Sequence, residues 1–313
     1  MTPEERIGRR LSLRDLNIFL VVAARRSMSR AAEQLAVSQP VVSKAIADME
    51  YILGVPLLDR NPRGVEPTLY GRALVKRGIA VFDELRQSVK DIEFLSDPAT
   101  GEARVGATPP LAAGLIPVAV ETLVRRHPRA QIDVVEGDFR LLQNGLHDRN
   151  FDAVIGRAPA AIADDLIVSE VLFEDHLLVV AGSRNKWTHR KQIELSELCG
   201  EPWTFPSAGT VGAILVAEVF ETMGIKQPRT TVATGSIAMV IHLLTSSNIL
   251  ALLPASTVVS IAKRQPIKAL PVALPRQPRP IVIATLKNRT LSPVAKLFID
   301  YTREVVRSSM NAT

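Results

Sequence analysis

Residues 27–54 have the sequence SMSRAAEQLAVSQPVVSKAIADMEYILG. The stretch predicts two helices joined by a tight turn, with the second helix running from Ser38 to about Leu53. Ser38 is a good N-cap residue, and Pro40 suits the first turn because it has no amide hydrogen to leave unpaired. Gly54 is a typical residue just past a helix end. The sequence therefore predicts a helical hairpin with well-marked ends.

The second of these helices has an apolar side and a polar side. Its apolar residues recur every three or four positions, as expected of a buried stripe: Val42, Ile46, Met49 and Leu53. The other side carries an amide, a hydroxyl and a cation, on Gln39, Ser43 and Lys44. In a DNA major groove, Gln can pair with adenine and Lys with guanine or phosphate. An ordinary helical hairpin with a polar surface is the alternative that this stretch alone leaves open.

The sequence on either side of the hairpin favours DNA binding. Residues 56–68 predict a short wing with Arg60 and Arg63 at its edge. Before the hairpin, Leu13–Arg25 predicts a helix whose apolar side completes a three-helix core: Leu16, Phe19, Leu20 and Ala23. The net charge is +6, and the cations that flank the hairpin outnumber the acids there, which suits a surface that faces phosphates.

These motifs, in this order, resemble the DNA-binding end of LysR-type transcriptional regulators. The resemblance covers about residues 13–95 and rests on the patterns SMSxAAxxL, SQPxVS, LGxxLLxR and TxxG. It implies a winged helix-turn-helix that reads double-stranded DNA, a cytoplasmic location and RNA polymerase as a partner. The residues predicted to bind DNA are Arg30, Ser38, Gln39, Pro40, Ser43, Lys44, Arg60 and Arg63.

A long helix is predicted over residues 68–95. One apolar seam runs along it, and a helix of that length with no domain around it is expected to pair with a second copy of itself. The seam residues are Val75, Ile79, Phe82, Leu85, Val89 and Ile92. The alternative is a long helix packed on its own chain. The resemblance implies the same pairing, because this helix is the family's dimerisation linker, and it implies a homodimer or a homotetramer built as a dimer of dimers.

An α/β domain is predicted after the linker helix. Residues 96–101 predict a hinge, which leaves 1–67 as the DNA-binding domain, 68–95 as the linker and 102–313 as the effector-binding domain. In the last part, strands alternate with helices, as in parallel sheets with crossover helices. The pattern resembles the two-lobed type II periplasmic-binding-protein fold of the LysR effector domain. Its lobe I takes residues 102–174 and 278–313, and its lobe II takes residues 175–277.

A small-molecule site is predicted between these lobes, beyond the carboxyl ends of the strands. Three strand-to-helix corners carry hydroxyls, and helix N-termini favour anions, so a carboxylate is the first predicted effector and a sugar the second. The candidate residues are Thr108, Pro109, Arg157, Thr204, Ser207, Thr210, Gly235 and Ser236. The alternative is that each hydroxyl only caps a helix. Ser247 and Ile249 stand where the family often has Gly-x-Gly. The pattern also resembles a sugar-responsive subgroup, that of the galactose-binding-protein regulator.

Other functional classes fit the sequence less well. Neither a catalytic nucleophile with a base nor a phosphate-binding loop is recognisable, and the histidines lack metal-ligand spacing, so we expect no enzyme, no metal and no cofactor. Cys199, the single cysteine, is interpreted as a small buried residue. A secreted solute-binding protein would need an export signal and no helix-turn-helix. The remaining alternative is a constitutive DNA-binding protein whose α/β domain serves only assembly. No membrane-spanning segment is expected.

Overall fold

Three short helices and a β-hairpin form the N-terminal part of the chain. The computed structural model describes residues 11–61, 64–97, 100–157, 164–275 and 280–310. Their contacts divide the chain into two units, Met1–Arg86 and Gln87–Thr313. The first unit contains α1 (Leu13–Arg25), α2 (Met28–Gln34), α3 (Gln39–Leu53), β1 (Leu58–Asn61), β2 (Gly64–Pro67) and the first part of α4 (Leu69–Ser96).

The core of the N-terminal unit lies between α1, α2 and α3. On α3, Val42, Ile46 and Met49 are fully buried, as the sequence predicted. The predicted stripe of α1 was partly wrong. Phe19 is buried, but its core neighbours on this helix are Ile18 and Val22. The remaining stripe residues are only partly buried: Leu16, Leu20 and Ala23.

Leu16 and Leu20 pack against this core, as predicted, and they also contact α4. A Cβ added at Gly78 would lie 3.0 Å from a Leu16 methyl carbon and 3.2 Å from a Leu20 methyl carbon. Gly78 therefore allows the two helices to approach closely, at the small cost in helix propensity that glycine carries. The first turns of the linker helix are thus packed on their own unit.

The TxxG motif joins the wing to the linker helix. The Thr68 hydroxyl accepts a hydrogen bond from Gly71 N (3.0 Å) and donates one to the Pro56 carbonyl (2.7 Å). A Cβ at position 71 would lie only 2.0 Å from the Leu57 carbonyl oxygen, so the close backbone approach requires glycine. Glu50 accepts hydrogen bonds from Leu57 N (2.7 Å) and Leu58 N (3.1 Å). These contacts fix the wing against the end of α3.

The C-terminal unit has two lobes, each built on a five-stranded mixed sheet. Lobe I has the strand order β4-β3-β5-β12-β6 and lobe II the order β11-β7-β10-β8-β9. The strands of lobe I are β3 (Glu102–Ala107), β4 (Gln131–Glu136), β5 (Ala153–Arg157), β6 (Ile167–Phe173) and β12 (Ile281–Leu286). Those of lobe II are β7 (Leu177–Gly182), β8 (Trp203–Phe205), β9 (Thr230–Ala233), β10 (Leu250–Pro254) and β11 (Ile267–Ala269).

Helices cover both sheets. In lobe I they are α5 (Pro109–Ala113), α6 (Leu115–Arg126), α7 (Phe139–His147) and α11 (Pro293–Met310). In lobe II they are α8 (Val211–Thr222), α9 (Ile237–Ser246) and α10 (Ala255–Ile261), with short 3-10 helices at Lys186–His189 and Leu195–Leu198.

Two features of this unit differ from the prediction. β3, β4 and β5 are parallel, but β12 is antiparallel to β5 and β6, because the chain returns to lobe I from lobe II and enters the sheet from the opposite end. The connection between β3 and β4 contains two helices, α5 and α6, where the alternating pattern predicted a single crossover helix. Gly114 separates them with φ −113° and ψ −82°, outside the helical region.

Candidate functional site

The exposed face of α3 carries the side chains predicted to read bases. Gln39, Pro40 and Lys44 are exposed, and Ser43 is partly buried. Ser38 occupies the N-cap position with extended backbone, but its side chain makes no capping hydrogen bond, contrary to its predicted role. The helix therefore presents an amide, a hydroxyl and an ammonium group beside its N-terminus, where helix-turn-helix proteins contact base edges.

Two residues near this face escaped the sequence reasoning. The Ser29 hydroxyl donates to Gln39 Oε1 (3.2 Å), so α2 positions the amide of the predicted base reader. Tyr51 is 83% exposed and lies seven residues after Lys44, on the same side of α3. The position of Tyr51 could have been predicted from its spacing to Lys44. The contact of Ser29 with Gln39 could not, because it depends on how α2 and α3 pack.

The arginines predicted to contact phosphates lie only partly within the described residues. Arg30 is exposed on α2. Arg60 lies on β1, where its backbone pairs with Val65, but its side chain is outside the described residues, as is all of Arg63. The wing itself is present as predicted, with β1 and β2 antiparallel.

The predicted dimerisation seam of α4 falls into two halves. Val75, Ile79 and Phe82 are partly buried, and Val75 packs against the core of the N-terminal unit. Further along, an exposed apolar strip follows the helix: Val81, Leu85, Val89, Ile92 and Leu95. Val81 and Leu95 were not predicted. The seam residues that have exposed side chains are thus Leu85, Val89 and Ile92.

A cavity of about 280 Å³ lies between the two lobes. Lobe I contributes residues 108–111 and 136–138, with Arg157 and Ile281. Lobe II contributes the ends of β8, β9 and β10 and the first half of α8. Six of the eight predicted effector residues line it, namely Thr108, Pro109, Arg157, Thr204, Thr210 and Gly235. Ser207 and Ser236 do not.

Several of the predicted hydroxyls are helix caps. The Thr210 hydroxyl accepts from Ala213 N (3.2 Å) and donates to the Ser207 carbonyl (2.7 Å). The Ser236 hydroxyl accepts from Met239 N (3.3 Å). The side chains of Thr210 and Ser236 therefore cap helices, which is the alternative role given for them in the sequence analysis.

Two other hydroxyls, on opposite sides of the cavity, do not cap a helix. Thr108 is the N-cap of α5 but its side chain makes no capping hydrogen bond. The Thr204 side chain is 2% exposed, and its hydroxyl has no hydrogen-bond partner in the described parts of the chain. A buried hydroxyl without a hydrogen-bond partner lowers the stability of the fold. A ligand in the adjoining cavity could supply the missing partner.

Asp138 is a residue of the cavity that the sequence reasoning missed. Its Oδ1 accepts from Arg140 N (3.0 Å) and caps α7 in lobe I, while its Oδ2 accepts from Val211 N (3.0 Å) at the start of α8 in lobe II. One carboxylate therefore binds both lobes. Only the fold brings residues 138 and 211 together, so no local signal identified this contact.

Arg157 is buried and paired within the protein. Its Nη1 donates to the Asp175 carbonyl (2.9 Å), and its Nη2 lies 3.8 Å from Asp175 Oδ2. Asp175 also accepts from Ser256 N (3.2 Å) and Ser256 Oγ (2.6 Å). Because residue 175 lies where the chain first crosses between the lobes, Arg157 stabilises that crossing.

The departure at Ser247 and Ile249 lies away from the cavity. Ser247 ends α9, where its hydroxyl donates to the Leu243 carbonyl (2.6 Å) and accepts from Ile249 N (3.3 Å). Ile249 is 4% exposed and belongs to the lobe II core. Neither residue lines the cavity.

Two other kinds of feature are absent from the described ranges. No cluster of three His, Cys, Asp or Glu side chains there has metal-binding geometry. The helices of the same ranges include none that is both long and apolar enough to cross a bilayer. Cys199 is partly buried, and its thiol faces the Leu195 carbonyl at 3.8 Å.

Comparison with known proteins accounts for both units. Residues 13–72 match the family described as "Bacterial regulatory helix-turn-helix protein, lysR family". Residues 96–307, more than half of the chain, match "LysR substrate binding domain". The chain belongs to the LysR family of transcriptional regulators. LysR-type regulators bind DNA, carry an effector-binding domain and are not enzymes, so the predicted family, fold class and lack of enzymatic function are confirmed.

Curated relatives and solved structures of the LysR family resemble the chain over most of its length. The HTH-type transcriptional regulator GalR of Pseudomonas putida is 28% identical over 94% of this chain and 74% of its own. GbpR of Azospirillum brasilense is 25% identical over 92% and 84%. Full-length OxyR C199D from Pseudomonas aeruginosa has a TM-score of 0.64 with 24% identity, covering 95% of each chain. Full-length CbnR, in a complex with its target DNA, has a TM-score of 0.53 with 21% identity, covering 95% and 100%.

Proposed function

We propose that this LysR-type regulator binds its operator as a dimer, or a dimer of dimers, in the cytoplasm, and that a small molecule in the interlobe cavity changes how it binds. Double-stranded DNA and RNA polymerase are its proposed partners. Gln39, Ser43 and Lys44 are proposed to read bases, and Arg30 to contact phosphate. The exposed strip of α4 that includes Leu85, Val89 and Ile92 is the proposed dimerisation surface.

The buried hydroxyl of Thr204 is the observation that carries the effector proposal. Thr204 is one of the residues that line a cavity bounded by both lobes, and its hydroxyl has no partner among the described residues. A ligand that accepts or donates a hydrogen bond there removes the cost of leaving it unpaired. A domain that serves only assembly has no need of such a cavity, so the constitutive alternative is less well supported.

An uncharged, hydroxyl-bearing compound can bind the side chains of Thr108 and Thr204, which cap no helix. A carboxylate would have to share the start of α8 with Asp138. The proposal therefore favours an uncharged, hydroxyl-bearing effector over a carboxylate.

A thermal-shift screen of metabolites against the full-length protein tests the effector proposal, because a ligand that binds only the folded state raises the unfolding midpoint. The effector should stabilise wild type and Ser236→Ala, whose changed side chain lies outside the cavity, and should stabilise Thr204→Val clearly less. Equal stabilisation of all three proteins would place the effector elsewhere and refute the site.

A further inference from the structure

The charges around the interlobe cavity indicate which class of effector it accepts. Three lining residues of the described chain carry charge: Glu136, Asp138 and Arg157. The two carboxylates belong to the same wall, because Glu136 is the last residue of β4 and Asp138 lies two residues after it. Arg157 is the single cation of this set, and it is held by Asp175 through the contacts given above. A ligand anion would therefore meet more negative than positive charge.

The start of α8 already holds an anion. An N-terminal helix amide is where a ligand carboxylate ordinarily binds in such a cleft, because the amide groups there point outward and the helix dipole favours negative charge. Here Val211 N donates to Asp138 Oδ2 at 3.0 Å. The protein's own carboxylate therefore occupies the position that a ligand carboxylate would use, and it repels a second one.

The rest of the lining is mainly apolar. Side chains from both lobes form the walls: Leu111, Val211, Leu215, Val216, Val240 and Leu252. Among the described lining residues, Thr108 makes no capping hydrogen bond with its hydroxyl, and the Thr204 hydroxyl has no partner. A sugar would leave most of its hydroxyls against these walls without partners, which is costly.

We propose that the effector is an uncharged, amphipathic molecule, with an apolar body and one or two hydroxyl or carbonyl groups that bind Thr108 and Thr204. The inference rests on the proposed effector site and adds the chemical class to it. The small cavity suits this class, since about 280 Å³ lies near the lower end of ligand pockets, which hold roughly 300–1,000 Å³.

Matched probes with the same apolar body test this inference. Benzyl alcohol and benzoate differ mainly in the charge of the polar group, and D-glucose supplies an uncharged polyol without an apolar body. Each probe is titrated in the millimolar range against the full-length protein, and the thermal unfolding midpoint is recorded for wild type and Thr204→Val. The difference between the midpoint shifts of wild type and Thr204→Val measures the binding of each probe in the cavity.

Benzyl alcohol should show a cavity-dependent shift in wild type, and benzoate and glucose should show none. Asp138→Ala removes the resident carboxylate and leaves Val211 N available, so benzoate should bind this variant about tenfold more tightly than wild type. Asp138→Asn removes only the repelling charge and keeps an acceptor for Val211 N, so it should bind benzoate more tightly than wild type but less tightly than Asp138→Ala. It replaces the alanine variant if that variant is unstable.

The outcomes separate the two proposals. Cavity-dependent binding of benzoate or glucose to wild type, at an affinity equal to or above that of benzyl alcohol, contradicts the inferred class but supports the effector site. If Thr204→Val and Thr108→Val leave the response to every probe unchanged, the effector site itself is refuted, and the inferred class with it.

Discussion

The hydroxyls at the strand-to-helix corners have two different roles. Thr210 and Ser236 accept hydrogen bonds from amides two or three residues into their helices and are caps. Thr204 lies inside the lobe II sheet, on β8, and its buried hydroxyl has no such partner. All three residues were predicted to bind the effector, because the sequence gives only the residue type and an approximate position. Which hydrogen bonds each hydroxyl makes depends on the packed structure.

This difference predicts stability changes of opposite sign. Thr204→Val replaces an unpartnered buried hydroxyl with a methyl group of similar shape and should raise the free energy of unfolding by about 1 kcal/mol. Thr210→Val removes a cap and should lower it by about 1 kcal/mol. Chemical denaturation without ligand measures both variants. A loss of stability in Thr204→Val equal to that in Thr210→Val would show that the Thr204 hydroxyl has a structural partner.

At the DNA-facing helix, Gln39→Ala should cost about 1–3 kcal/mol of discrimination at one base pair of the operator. The physical reason is the loss of the paired hydrogen bonds that a glutamine amide makes with adenine. Binding to a set of single-base operator variants measures it. Uniform weakening across all variants would mean that Gln39 does not read a base.

Arg30→Ala is the matched control for that experiment. A phosphate contact carries no sequence information, so this variant should bind all operator variants more weakly by a similar factor and lower the salt slope by about one. Ser29→Ala is informative as well, because Ser29 positions the Gln39 amide through a 3.2 Å hydrogen bond. We expect a smaller loss of discrimination from it than from Gln39→Ala.

At the scale of single elements, the linker helix α4 combines two kinds of apolar residue. Its first turns are packed against α1 and the N-terminal core, while Leu85, Val89 and Ile92 are exposed. The period of the apolar residues predicted one continuous seam, because a stripe on a helix has the same spacing whether it faces its own chain or a partner.

Val89→Asp should therefore dissociate the dimer without unfolding the chain. Val89 is 54% exposed, so the charge costs little in the monomer but would be buried in a helix pair. Val75→Asp is the contrasting variant and should destabilise the N-terminal unit. Light scattering and circular dichroism of the full-length proteins distinguish the two effects. An unchanged molecular mass for Val89→Asp would contradict the proposed dimerisation surface.

The segment before β6 provides a pH-dependent contribution to stability. Asp164 Oδ1 accepts from Leu166 N (3.0 Å), and His147 Nε2 lies 2.7 Å from Oδ2. The Leu166 backbone amide, followed by the charge of His147, lowers the pKa of Asp164 below its ordinary value. A carboxylate with a lowered pKa in the folded state stabilises the fold at neutral pH and loses this effect as the pH falls through that pKa.

We therefore expect Asp164→Ala to lower the unfolding midpoint at pH 7 and to reduce its further decrease between pH 7 and about pH 3. Thermal unfolding followed by circular dichroism at several pH values measures both effects. A variant whose midpoint decreases on acidification as much as that of wild type would show that Asp164 does not contribute.

Most elements were predictable from local patterns. The helix-turn-helix, the wing and the linker helix follow from period, caps and turn residues, and α3 has the predicted bounds to within one residue, Gln39–Leu53. The strand direction of β12 was not predictable in this way, because it depends on where the chain re-enters lobe I. The break at Gly114 and the short strand β11 also lack a periodic signal.

In the molecule as a whole, polar contacts join the two lobes of the C-terminal unit. Asp138 caps a helix in each lobe, and Asp175 holds Arg157 at the first crossing. The predicted cleft is at the strand ends, where the structure has a cavity, but pairs such as residues 138 and 211 become neighbours only in the folded chain. The contacts of Asp138 and Arg157 with the other lobe could therefore not be predicted from the sequence.

A ligand can shift the equilibrium between two lobe arrangements only by the difference of its affinities for them. Contacts to Thr108 on lobe I and Thr204 on lobe II give a cavity-bound effector such a difference. The proposed consequence is a changed arrangement of the DNA-binding units on the operator.

The most direct test of this account is a nuclease footprint of the full-length protein on the DNA upstream of its own gene, across a titration of an effector identified by the thermal-shift screen. We predict that the effector changes the wild-type footprint and that Thr204→Val gives the same effector-free footprint but needs at least several-fold more effector for the change. A wild-type footprint that stays the same at saturating effector, or a Thr204→Val footprint that changes at the wild-type concentration, would contradict the account.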